Sequence, residues 1–239
     1  MRDSTLASRS IANLNLNVLN CKFEKADPRK ILTWCVGNFT TGLVQTSTFN
    51  IDDLVITDLL YREIQPDPPV PVVFVDTLHH FTQTLELVER AKAIYNLDLR
   101  SYQISGLNSR KAFEAKYGAA LWEKDRQQFD YLTKMGPLQR GLTELKAMVT
   151  ITGNSLNCTT SVFERDRQGR LQVNPLAFWS RTESWAYAYE YDLIYNPLHD
   201  EGYGNIGDEP LTLKMTVGEK DKYWRLWGML KTECGIYSI

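Results

Sequence analysis

Four consecutive apolar residues closed by an acid, Val72-Val73-Phe74-Val75-Asp76, constrain this chain more than any other stretch. A strand apolar on both faces belongs inside a parallel sheet covered by helices on either side, and Asp76 then stands at the carboxyl end, where open α/β sheets bind ligands. The flanking sequence supplies those helices. Leu43 to Thr46 reads as strand, Ile51 to Ile64 as helix, Pro71 to Asp76 as strand and Thr82 to Tyr95 as helix, a βαβ pattern. A strand around Leu99 to Gln103, helices across Ser109 to Tyr117 and Lys124 to Leu145, and a strand at Met148 to Thr152 continue the alternation. The expected fold class is α/β, a doubly wound, mostly parallel sheet.

Beyond Gly153, the segments Ser161 to Arg165 and Arg170 to Val173 flank Asp166-Arg167-Gln168-Gly169 and read as a hairpin with a glycine-containing turn. A helix is expected across Arg181 to Tyr191. The Gly-, Pro- and Asp-rich stretch Pro197 to Thr216 reads as loop, and Lys220 to Met229 as one more short helix. The first thirty residues are polar and Asn-rich, with helix only around Pro28 to Trp34. The expected organisation is an N-terminal arm or docking helix over 1–30, an α/β domain over 31–216 and a C-terminal tail over 217–239.

A chain of 239 residues with 43% apolar and 23% charged residues suits one large globular domain. The net charge of −2 provides no clustered basic surface for a phosphate backbone, so nucleic acid is not an expected partner. No run of about 18 apolar residues is present to span a bilayer, and Met1-Arg2-Asp3-Ser4 lacks a signal-peptide apolar region; no membrane partner and a cytoplasmic location are expected. The four cysteines, Cys21, Cys35, Cys158 and Cys234, show no CxxC spacing and no companion histidines at metal-ligand intervals, so neither a metal site nor an iron–sulfur cluster is expected, and no bound cofactor.

The chemistry is expected at the end of the chain. In Lys231-Thr232-Glu233-Cys234-Gly235-Ile236 a lone cysteine sits among ionisable neighbours, where a thiol can become a thiolate nucleophile. With Val173-Asn174-Pro175-Leu176-Ala177-Phe178-Trp179-Ser180, Ile194 to Tyr203, Ile206-Gly207-Asp208 and the segment Phe113 to Leu138, this tail resembles the 3'-phosphoadenylyl-sulfate (PAPS) reductase family, fungal members most, over roughly residues 30 to 236. The resemblance implies a fold of the adenine nucleotide alpha hydrolase type. It implies Cys234 as the catalytic group that attacks the sulfur of a sulfonucleotide, with thioredoxin as the reductant that releases sulfite. It further implies a small-molecule substrate and a homodimer, the state common among relatives. In the related adenylyl-sulfate reductases paired cysteines hold an iron–sulfur cluster; Gly207-Asp208-Glu209-Pro210-Leu211-Thr212-Leu213 contains none, which points to the cluster-free, thioredoxin-dependent branch.

By the same resemblance the substrate-binding residues are Ser47, Thr48 and Phe49 of a strand-to-helix phosphate loop, Asp76, Lys134, Gly153, Asn154 and Gly207. The chain also departs from the family at these motifs. Asn50 stands in place of a glycine, Asp52 and Asp53 bring negative charge into the first helical turn, and Leu78 replaces the glycine of Asp-Thr-Gly. Asn154-Ser155-Leu156-Asn157-Cys158 replaces a run of arginines that grips phosphosulfate, a loss worth about a thousandfold or more in affinity. Tyr237 replaces a histidine after Glu-Cys-Gly. Two further readings therefore stand beside sulfonucleotide reduction. One is an enzyme of specialised metabolism acting, with or without a redox step, on a less anionic molecule through Asp52, Asp53, His79, His80, Cys158 and Tyr237. The other is a non-catalytic binding protein.

Overall fold

The computed structural model describes residues 11–153 and 161–214. Among them β1 (Leu43–Ser47), β2 (Val72–Asp76), β3 (Leu99–Gln103), β4 (Val149–Thr152), β5 (Phe163–Arg165) and β6 (Leu171–Val173) form one sheet in the order β3-β2-β1-β4-β6-β5. Every neighbouring pair is parallel except β5 and β6, which form the expected hairpin. The strand order runs outward from β1 through β2 on one side and from β4 on the other. The winding reverses between β1 and β4, the kind of switch point at which open α/β sheets bind ligands.

All five residues of β1 are buried, as a strand with neighbours on both edges and helices on both faces must be. The period of two sorts the apolar run of β2: Val72 and Phe74 face a large core with Leu54, Val55, Ile56 and Leu87, whereas Val73 joins Val44, Leu138, Leu142 and Ala147 on the other face.

Nine α-helices lie among the described residues: α1 (Leu16–Phe23), α2 (Pro28–Asn38), α3 (Ile51–Asp58), α4 (Thr82–Tyr95), α5 (Arg110–Tyr117), α6 (Leu121–Lys124), α7 (Arg126–Asp130), α8 (Gly136–Glu144) and α9 (Arg181–Glu190). α1 covers β5. The Asn20 side-chain amide donates to the Phe163 carbonyl at 2.9 Å and accepts its N–H at 2.8 Å, pairing an edge that would otherwise be bare. Phe23 anchors α1 against Trp34 and Phe163.

Two expected helices are more elaborate than their periodicity suggests. Ile51 to Ile64 is α-helical to Asp58 and π-helical over Leu59–Ile64. Lys124 to Leu145 divides into α7, a π turn over Tyr131–Met135 and α8. Pro137 explains the second case: it has no N–H for the carbonyl one turn back, so the chain widens and Gly136 donates to the Tyr131 carbonyl instead. Within the expected loop from Pro197, short 3₁₀ turns form at Pro197–His199 and Glu209–Leu211, with Pro197 opening the first and Pro210 second in the other. No helix among the described residues is long and apolar enough to cross a membrane.

Candidate active site

The crevice at the carboxyl ends of β1 and β2 is built from three loops and the π turn. Its described walls include Thr46, Ser47 and Thr48 after β1, Phe74, Thr77 and His80 from β2 and its loop, Lys134 and Leu138 from the π turn and α8, and Ile206, Gly207 and Asp208. The cavity they enclose is about 60 Å³, and it opens to solvent.

The loop after β1 folds around its own side chains. Ser47 Oγ accepts the Phe49 N–H at 3.0 Å, and Asn50 Oδ1 caps α3 by accepting the Asp53 N–H at 3.0 Å. Phe49 takes a left-handed φ of 58° and is buried edge-on against Phe74. Asp53 is the centre of the loop. Its Oδ2 accepts both the Thr48 N–H at 2.6 Å and the Thr48 hydroxyl at 2.9 Å, while Oδ1 accepts the Gly153 N–H at 3.1 Å. Burial pushes the Asp53 carboxyl up to about 7 against the pull of the Thr48 and Gly153 donors, and the charge of the equally buried Asp52 adds to the rise. Asp53 thus joins the ends of β1 and β4, and Gly153 is glycine because nothing larger fits beside it.

Asp76, at the end of β2, turns back on its loop and accepts the Leu78 N–H at 2.8 Å. Leu78 keeps a glycine-like φ of 63° and packs its side chain with Phe113 and Phe129 rather than into the crevice. The adjacent histidines have different surroundings. His79, 1% exposed, is ringed edge-on by Phe113, Trp122 and Phe129, with Nδ1 2.7 Å from the Thr77 carbonyl, and burial lowers its pKa. His80 stacks on Phe74 and lines the crevice, its Nε2 3.1 Å from the Val75 carbonyl.

Opposite the loop after β1, Lys134 Nζ lies 2.9 Å from Asp208 Oδ2 and 3.2 Å from Asp130 Oδ1. Burial works against the charge of Lys134, but the two carboxylates outweigh it and its pKa stands above the ordinary lysine value. Burial likewise pushes Asp208 up, and Lys134 and His80 outweigh it downward, so the pair is ionised. Asp208 also accepts the Thr77 hydroxyl, and its backbone bridges to His80. The loop that carries it is fastened by the Glu209 N–H to the His79 carbonyl at 2.7 Å and by Arg110, which reaches Glu209 at 3.2 Å.

Of the residues expected to bind substrate, Ser47, Thr48, Lys134 and Gly207 line one crevice. Gly153 abuts it through Asp53, Asp76 shapes the neighbouring loop, and Phe49 packs behind. Asn154, Cys158, Cys234 and Tyr237 lie outside the described residues. Thr77, Asp130 and Asp208 are the site residues that sequence reasoning did not single out. Asp208 carried a signal, following Gly207 in a matched motif, whereas Asp130 follows from one helical turn of spacing before Lys134 only once the lysine is known to face a cleft.

The family model for the phosphoadenosine phosphosulfate reductase domain matches residues 42–214. The phosphoadenosine phosphosulfate reductase of Emericella nidulans is 36% identical over 94% of this chain and 75% of the relative, and that of Saccharomyces cerevisiae 36% identical over 88% and 84%. Adenosine 5'-phosphosulfate reductase 1 of Bacillus subtilis is 32% identical over 90% of this chain and 94% of its own. The crystal structure of phosphoadenylyl-sulfate reductase from Candida auris in its phosphate complex is similar with a TM-score of 0.77 at 35% identity, covering 83% of this chain and 96% of that one. Candida glabrata FMN adenylyltransferase, with a TM-score of 0.55 at 14% identity, shares the fold alone.

Proposed function

The chain belongs to the phosphoadenosine phosphosulfate reductase family, and from that premise we propose that it reduces an adenosine sulfonucleotide to sulfite. The observation that carries this reading is positional: the region matched by the family model, residues 42–214, contains every described wall of the crevice at the carboxyl ends of β1 and β2. The nucleotide enters there, its anionic end beside the Ser47 and Thr48 hydroxyls and Lys134.

Cys234 supplies the nucleophile. Its thiolate attacks the sulfate sulfur, the bond from sulfur to the bridging oxygen breaks, and the adenosine phosphate leaves with that oxygen and the electron pair. The enzyme then carries a cysteine S-sulfonate. One thiolate of a dithiol reductant attacks the Cys234 sulfur and displaces sulfite, and its second thiol resolves the mixed disulfide, regenerating the Cys234 thiol. The two electrons that take the sulfur to sulfite come from the dithiol. Thioredoxin as that dithiol and a cytoplasmic setting are part of the proposal.

The test is sulfite release by the full chain from PAPS and from adenosine 5'-phosphosulfate, with thioredoxin, its reductase and NADPH. Sulfite formation that Cys234→Ser abolishes is the expected result. No sulfite from either nucleotide would overturn the reading.

A further inference from the structure

Resting on the reading that a sulfonucleotide binds in this cleft, we infer that Asp208 is a positioning residue, which holds the Lys134 ammonium in place for the anionic end of the nucleotide before it arrives. The two residues are fastened very differently. Asp208 sits in a loop anchored at several points: its Oδ1 accepts the Thr77 hydroxyl, its backbone bridges to His80, and the next residue, Glu209, donates its N–H to the His79 carbonyl at 2.7 Å and meets Arg110 at 3.2 Å. Those fixtures are independent of Lys134. The lysine ammonium lies at the end of a flexible four-carbon stem, 2.9 Å from the other Asp208 oxygen. The carboxylate is therefore the fixed member of the pair and the ammonium the held one, and both line the crevice.

Whether such a grip helps or hinders an incoming anion depends on which effect is larger. Asp208 competes with the anion for Lys134, but the Lys134 side chain is only 13% exposed. Burying an ammonium there with no counter-charge costs more than one charge-assisted contact with a ligand returns. Without Asp208 the lysine would turn to solvent or give up its proton, and the substrate would have to draw it back at the expense of affinity. Asp130 does not take over the task, because it stands 3.2 Å from Lys134 and is itself engaged by Arg126 at 2.7 Å. Arg126, Asp130, Lys134 and Asp208 together balance two positive charges against two negative, so the lysine is presented without a surplus of negative charge beside it.

Asp208→Asn tests this, since it keeps the shape of the side chain and removes its charge. In steady-state sulfite release by the full chain, KM for the sulfonucleotide that the wild type turns over is expected to rise at least about fivefold, with kcat changed by less than that factor. Calorimetry should show a matching loss of affinity for adenosine 5'-monophosphate or adenosine 3',5'-bisphosphate, whichever the wild type binds more tightly. The double variant Lys134→Met with Asp208→Asn separates positioning from general support of the cleft: a residue that acts through Lys134 leaves little more to lose, so KM should stay within about threefold of Asp208→Asn alone. A smaller rise in KM for Asp208→Asn, a loss that falls on kcat instead, or a larger further loss in the double variant overturns the assignment while leaving sulfonucleotide reduction intact. If the wild type yields no sulfite, the proposed function falls and calorimetry decides: weaker binding by Asp208→Asn upholds the positioning role, whereas equal, tighter or absent binding sinks it.

Discussion

The Gly153 N–H donates to the Asp53 carboxylate across 3.1 Å, and a Cβ on Gly153 would stand 2.5 Å from that same oxygen and 2.6 Å from the Asp53 nitrogen. Two residues 100 positions apart thereby close the sheet at its reversal point, with no space between the end of β4 and the first turn of α3. The loop after β1, the capped helix and the strand end form one unit, and a disturbance at any member is transmitted to the cleft.

Gly153→Ala is expected to destabilise the fold by about 1 to 3 kcal/mol, because the methyl meets backbone as well as a side chain and neither can swing away. Differential scanning calorimetry reads this as a lowered Tm. A wild-type Tm would mean that the end of β4 relaxes freely.

Asp53 gives stability a pH dependence of known sign. Its pKa, raised from 3.8 to about 7 chiefly by burial, makes the folded state bind the proton more tightly than the unfolded chain does. The resulting stabilisation is complete below about pH 4 and is lost as pH rises through 7. Asp208 acts in the reverse sense, its lowered pKa contributing stability that disappears as pH falls. Comparison with Asp53→Asn isolates the first effect: in urea titrations from pH 4 to 8, wild type should lose stability relative to the variant as pH rises. Parallel profiles would show that Asp53 titrates normally.

Lys134→Met leaves Asp208 buried opposite an uncharged group and is expected to cost about 3 to 5 kcal/mol. The double variant Lys134→Met with Asp208→Asn should recover a large part of that loss, since the stranded charge is gone. A double-mutant cycle by chemical denaturation measures the coupling; additive single effects would contradict an ion pair formed in solution.

His79→Phe separates a packing role from catalysis. Phenylalanine fits among Phe113, Trp122 and Phe129 but cannot donate to the Thr77 carbonyl, a loss of about 1 kcal/mol. Turnover should stay within a few fold of wild type while Tm falls. A hundredfold drop in kcat with the fold intact would place His79 in the chemistry.

Much of the fold was legible because it rests on local patterns. The buried run in β2, the βαβ alternation, the hairpin around Asp166 to Gly169 and the helix from Arg181 each follow from side-chain periodicity and turn residues near one another in the chain. The π turn at Tyr131–Met135 was not legible as a π turn, though Pro137 marked where a regular helix had to yield. Among the candidate site residues, Ser47, Thr48, Lys134 and Gly207 were found through a family resemblance. His79 and His80 show why residue type alone does not assign a role. They are neighbours of one kind, yet aromatic rings from α5 to α7 enclose one and the cleft receives the other.

By itself the sequence determined the βαβ alternation, the doubly wound α/β class and the family, because these depend on near-neighbour periodicity and on motifs read along the chain. Only the tertiary structure decided which groups in that cleft are free to act. Thr77 and Asp208 bond across 131 residues of sequence, and Lys134 lies between two carboxylates. Desolvation and Coulomb energies depend on distance through space and on burial, which linear spacing does not contain.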